Sequence, residues 1–281
     1  MRTLALATAS GAALLAAGAL APAAPAGPVS PSAAAAPGAV HLATVAHARP
    51  VSAADDDGPS DGPSDGAGST ADGTVSSGDQ SSAGIREGSV SAADLLAKVS
   101  SCSQISNGKY RTDEETSASI PVCGKNGAVF WKADMDIDCD GQVTTACNAD
   151  TDPWFQDDTA FHTSGGQPLS AEKLPYVVVP SSSSIWNYGS AGIKGGGVVA
   201  VVYGDKVQYA VVGDTGPDQI IGEASYATAQ ALGIDPDPET GGTESGVTYI
   251  LFKDSTVSPI ESHDAAVTAG DALAREFLQN N

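Results

Sequence analysis

Asp214 and Glu223 lie nine positions apart in GDTGPDQIIGEAS (213–225), a stretch of glycines, small residues and two isoleucines that follows a β-like run. Two carboxyl groups projecting from one rim are what general acid–base chemistry requires, one giving a proton while the other takes one. Gly213, Gly216 and Gly222 supply the bare backbone that close approach to a ligand needs. The same residues also fit a reading without chemistry, in which Asp214 forms an Asx turn and Glu223 opens a helix and satisfies its first amides.

A second constellation is DMDIDCDG, in which Asp134, Asp136, Asp138 and Asp140 recur at every second position. On a strand that period puts all four on one face. Four like charges repel, so the face must meet water, a metal or a cationic ligand. A calcium-loop reading of Asp136, Asp138, Asp140 and Gly141 fails where the last bidentate acid is needed, because that position is Cys147. A polyamine-like ligand therefore ranks above a metal, and no metal is assigned. Trp131, Trp154, Phe155, Trp186 and Tyr188 fall in or next to polar segments, where rings can stack on sugar faces or else fill a core. Within 89–281 no Gly-x-Ser-x-Gly elbow accompanies His162 or His263 to build a nucleophilic triad.

The elements that must position these groups are mostly strands. AVFWKADMDID, LPYVVVP, GGVVAVVYGDKVQYAVVGD and GVTYILF are rich in β-branched and aromatic residues and bounded by Gly, Pro or Asp. The third reads as a hairpin, 198–203 and 207–212, turning at Gly204 and Asp205. Helices are expected over 92–101, over 223–232 with Gly233 as its stop, and over 263–278 with an Ala- and Leu-rich inner face. The expected fold is a mainly β, single-domain barrel with peripheral helices, the six-stranded double-psi barrel being one candidate type.

The start of the chain carries Arg2, an Ala- and Leu-rich run and Ala-x-Ala sites, which predicts a signal peptide over 1–26 and an extracellular protein. Residues 27–88 are Ala, Pro, Gly, Ser and Asp, a composition that cannot offset its conformational entropy and predicts a disordered linker or propeptide. The expected catalytic domain is 89–281, a monomer with no membrane span. It holds 26 Asp and Glu against 10 Lys and Arg, a balance of −16, which excludes nucleic acid as a natural partner and suits a cationic one. Cys102, Cys123, Cys139 and Cys147 make two disulfides in an exported chain. Of three possible pairings, Cys102 with Cys123 and Cys139 with Cys147 is the one expected.

Over roughly 101–277 the chain resembles the secreted endo-chitosanases of glycoside hydrolase family 75. The resemblance rests on DMDIDCDG, TDPWFQDDT (151–159), LPYVVVP (174–180), GDTGPDQIIGEASYATAQALGI (213–234) and SGVTYILFK (245–253). It implies endo-cleavage of the β-1,4-glucosamine linkages of chitosan with inversion, by an essential acid and base that fall on Asp214 and Glu223, without cofactor. It also implies that Asp134, Asp136, Asp138, Asp140, Trp154 and Thr215 bind the polycationic substrate. A helix start would keep Glu223 ionised and make it the base, whereas Ile220 and Ile221 would desolvate it and make it the acid; the latter is the assignment carried forward. The rivals are a non-catalytic polysaccharide-binding or wall-loosening module and a calcium-stabilised structural protein.

Overall fold

The computed structural model describes residues 87–281; the expected signal peptide and all but the last two residues of the expected linker lie outside them. Helix α1 (Ala92–Lys98) begins at Ser91, whose hydroxyl accepts from the Asp94 N–H at 3.2 Å. It stops three residues short of the expected end, where Ser100 and Ser101 lead into Cys102. Strands β1 (Ser103–Gln104) and β2 (Cys123–Lys125) form a ribbon stapled by the Cys102–Cys123 disulfide, and β2 pairs with the long strand β3 (Ala128–Asp138).

The other strands are β4 (Tyr176–Pro180), β5 (Val198–Tyr203), β6 (Lys206–Gly216), β7 (Glu223–Ser225) and β8 (Thr243–Phe252). Pairing runs β3-β7-β4-β6-β5-β8, and β8 returns to β3, so six strands close into a barrel. The hairpin turns at Gly204, as its φ of 60° demands. Helix α2 (Tyr226–Leu232) is capped by Ser225 and ends at Gly233 in the left-handed conformation; α3 is His263–Asn280.

The barrel's two surfaces follow from strand alternation. Val129, Trp131, Val177, Val199, Val212 and Tyr249 belong to the cluster that fills the interior, to which all six strands contribute. The intervening residues, such as Phe130, Tyr176, Val198 and Tyr209, form a second cluster under α1 and α3 with Leu95 and Phe277. Packing reaches two residues into the stretch counted as linker: the Glu87 N–H donates to Val207 O at 3.1 Å, and its carboxylate accepts from the Tyr209 N–H and meets His263 Nε2 at 2.6 Å.

Candidate active site

Glu223 does not open a helix. It stands on β7, opposite Asp136 in the parallel β3–β7 pairing, and the helix starts three residues later at Tyr226. The local reason is Ser225, whose hydroxyl caps α2, donates to Leu174 O at 2.9 Å and accepts from the Tyr176 N–H at 3.0 Å, holding β7 flat against β4. No helix terminus therefore favours the ionised form of Glu223. Burial, then the charges of Asp136, Asp140 and Asp214, push its pKa up to about 7.

Asp214 owes its direction to a bulge. Val177 pairs with Val212 but Val178 pairs with Asp214, so Gly213 is the extra residue. Ala210 and Val212 face the barrel interior; strict alternation would send Asp214 there too, and the bulge turns it outward beside Val178. Gly213 is bare because a Cβ would lie 2.6 Å from the Tyr176 side chain. Asp214 Oδ1 accepts from the Thr215 N–H at 2.6 Å and the Ala160 N–H at 2.8 Å. Burial raises the Asp214 pKa, and these two amides pull it back toward the ionised form. The loop that presents Ala160 is held by Thr159, whose buried hydroxyl donates to Phe161 O at 2.7 Å and accepts from the Leu169 N–H at 2.9 Å.

Asp214, Glu223, Asp136, Asp138, Asp140, Trp154 and Thr215 all line one cleft of about 940 Å³. Ten of its 23 lining residues are Asp or Glu and none is Lys or Arg, which makes it a site for a cation. The pKa of Asp136 is raised to about 6, by burial and then by Asp113; that of Asp140 is also raised to about 6, chiefly by burial, against the N–H bond from Gln156. Trp154 is 85% exposed at the cleft, its backbone N–H donating to Asp152 Oδ1 at 2.8 Å. The Cys139–Cys147 disulfide sits between Asp138 and Asp140 and closes the loop that carries Asp140. Both disulfides pair as expected from the sequence.

One substrate-binding expectation needs correction. Asp134 does share the outward face of β3 but does not line the cleft: it is 4% exposed, covered by Gly222, where any side chain would overlap its Oδ1. That oxygen has no hydrogen-bond partner among the described residues, and burial, followed by the charge of Asp136, pushes its pKa up to about 8. Of the aromatics, Trp131 is core, stacked on Tyr249 with ring centroids 5.5 Å apart, and Trp186 meets its edge at 6.2 Å. Conversely, sequence reasoning passed over Asp113, Glu114, Glu115, Asp152 and Glu239, which line the same cleft. The acidic run TDEET (112–116) was the available signal. Asp138, Asp140 and Asp214 each offer an oxygen within 4.8 Å of the others, the one group here with the spacing to hold a metal among the described residues.

A closed barrel with two burial-shifted carboxyls in one acid-lined open cleft has the groups that acid–base cleavage of a sugar linkage requires. Residues 135–279 match the family described as fungal chitosanase of glycosyl hydrolase group 75, and the chain belongs to that family. Over 159 residues it is 33% identical to an endo-chitosanase C of Aspergillus oryzae, covering 55% of this chain and 37% of that one. An endo-chitosanase B of the same organism is 31% identical over 182 residues, covering 55% and 76%. An endo-chitosanase of Aspergillus fumigatus is 33% identical over 141 residues, covering 46% and 59%. The chain thus spans little more than a third of the endo-chitosanase C that it matches.

Proposed function

We propose that the protein is an exported, endo-acting glycoside hydrolase that cuts the β-1,4-glucosamine linkages of chitosan with inversion. The observation that carries this reading is that Asp214 and Glu223 line one cleft whose charged residues are all acidic. Glucosamine amines are cationic in mildly acidic water, so the polymer presents a regular row of ammonium groups to that lining. Asp136, Asp152 and Glu239 hold those groups along the cleft, and the exposed Trp154 ring stacks on a sugar face.

Glu223, its proton retained to about pH 7 by burial, serves as general acid and protonates the departing glycosidic oxygen. Asp214, whose pKa burial raises and two backbone N–H groups draw back toward the ionised form, takes in its ionised form the proton of the water that attacks the anomeric carbon from the opposite side. The amides orient the base as well as charge it, since both bind the same oxygen and leave Oδ2 for the water.

The test is reducing-end release from soluble chitosan by wild type, Asp214→Asn and Glu223→Gln, with the anomeric form of new ends followed by NMR. Expected are an active wild type, both carboxamide variants slower by about 1,000-fold or more, and α ends appearing first. Chitosan binding without any release by the purified wild type would make the protein a non-catalytic module; β ends would rule out inversion.

A further inference from the structure

The stretch 157–161 belongs to no helix or strand, and among the described residues it makes no backbone-to-backbone hydrogen bond. Its polar anchoring therefore falls to side chains. Thr159 is the single buried residue of 156–162. Its hydroxyl donates to Phe161 O at 2.7 Å and accepts from the Leu169 N–H at 2.9 Å, and its methyl packs so closely on Gly141 that a Cβ there would stand 3.1 Å away. The first bond closes a tight turn around Ala160, whose N–H donates to Asp214 Oδ1 at 2.8 Å; the second ties that turn to Leu169. The other side-chain tie of the stretch joins Asp158 Oδ1 to the Thr159 N–H at 2.9 Å and to His162 Nε2 at 2.6 Å. Those side chains are 67% and 43% exposed, where such a pair holds weakly.

Asp214 takes its direction from this turn. Of the two N–H groups on its Oδ1, that of Thr215 belongs to the next residue and moves with the strand, whereas that of Ala160 arrives from a segment 54 positions away. Only the second holds the carboxylate from outside β6. Thr159 does not line the cleft, so it touches no substrate bound there. We propose that Thr159 is a positioning residue, its buried hydroxyl holding the Ala160 N–H on Asp214 Oδ1 so that the other carboxylate oxygen stays aimed at the attacking water. The inference rests on the function proposed above, in which Asp214 is the base. Without the hydroxyl the turn opens and the carboxylate rotates, and a misplacement of about 1 Å at a reacting group costs on the order of 100-fold in rate.

Steady-state kinetics on chitosan of wild type, Thr159→Val, Thr159→Ser, Asp214→Asn and the double variant Thr159→Val/Asp214→Asn, each well below its melting temperature, test this. The stoichiometry of binding to a chitosan oligosaccharide counts the folded fraction. Valine keeps the shape and loses both hydrogen bonds, so kcat per folded molecule should fall about 100-fold while KM changes less than about 3-fold. Serine keeps the hydroxyl, and its kcat should stay within about 3-fold of wild type. On the residual activity of Asp214→Asn the valine effect should shrink to less than about 3-fold, because Thr159 acts through Asp214. The proposal is overturned by a valine variant at the wild-type rate, by a serine variant as slow as valine, or by losses that multiply in the double variant. A raised KM with unchanged kcat overturns it too, by making Thr159 a substrate contact. Should valine not fold, Thr159→Ala carries the same expectation; if neither folds, the hydroxyl anchors the fold and not the base, and the proposal fails. Failure here is separable from failure of the parent reading: Thr159→Val at the wild-type rate beside a dead Asp214→Asn sinks only the positioning role, whereas an inactive wild type sinks both.

Discussion

Glu223 and Asp214 show how two carboxyls of one cleft come to differ. Glu223 has desolvation and three like charges pushing its proton on, while Asp214 has two amides pulling its proton off. Chitosan cleavage should therefore be bell-shaped in pH. The alkaline limb falls near 7 as Glu223 ionises, and the acid limb lies above the ordinary aspartate range because Asp214 must be ionised; a plateau extending past pH 8 would contradict the assignment. Asp134 carries a cost in stability. In the fold it keeps its proton to about pH 8, whereas in the unfolded chain it ionises near 4. Between those values the unfolded state binds fewer protons, so stability falls as pH rises through that window and is unaffected below it. Asp134→Asn should raise the melting temperature at pH 8 and leave it nearly unchanged at pH 4. Its place in the alternating acids was readable from the sequence; the Gly222 backbone that seals it off was not.

At the level of elements, a bulge and a short strand do the positioning. The strand containing Asp214 was legible from its Val-rich alternation, but the same alternation misdirects Asp214, because an extra residue at Gly213 inverts the faces beyond it. The helix expected from Glu223 onward begins at Tyr226, since sheet pairing with β3 and β4 outweighs helix propensity over Glu223–Ser225. Gly216 completes this geometry: a Cβ there would stand 2.6 Å from Glu223 Oε2. Gly216→Ala should displace the acid and lower kcat by about 100-fold, with chitosan binding retained; an alanine variant with wild-type kcat would show that Glu223 can move without loss.

For the molecule as a whole, the −16 balance of residues 89–281 is concentrated where the cleft lines itself with acids alone. Attraction of a polycation to such a surface is screened over about 8 Å at physiological salt. KM for chitosan should therefore rise several-fold between about 0.05 and 0.5 M NaCl with kcat much less affected, and a KM indifferent to salt would assign recognition to Trp154 and neutral contacts. The amino-acid sequence by itself determined the β-rich class, the presence of two disulfides, the acidic character and the candidate carboxyl pair, because alternation, cysteine count and charge are local or additive properties of the chain, whereas the pairing of the cysteines was settled only in the fold. The tertiary structure alone decided which acids share the cleft. Asp113 and Glu239 reach it from distant loops, Asp134 is withdrawn beneath Gly222, and Asp214 is turned outward by pairing with Val178. The physical reason is that burial and strand register depend on partners far away in the chain, and these set both the direction of a carboxyl and its affinity for a proton.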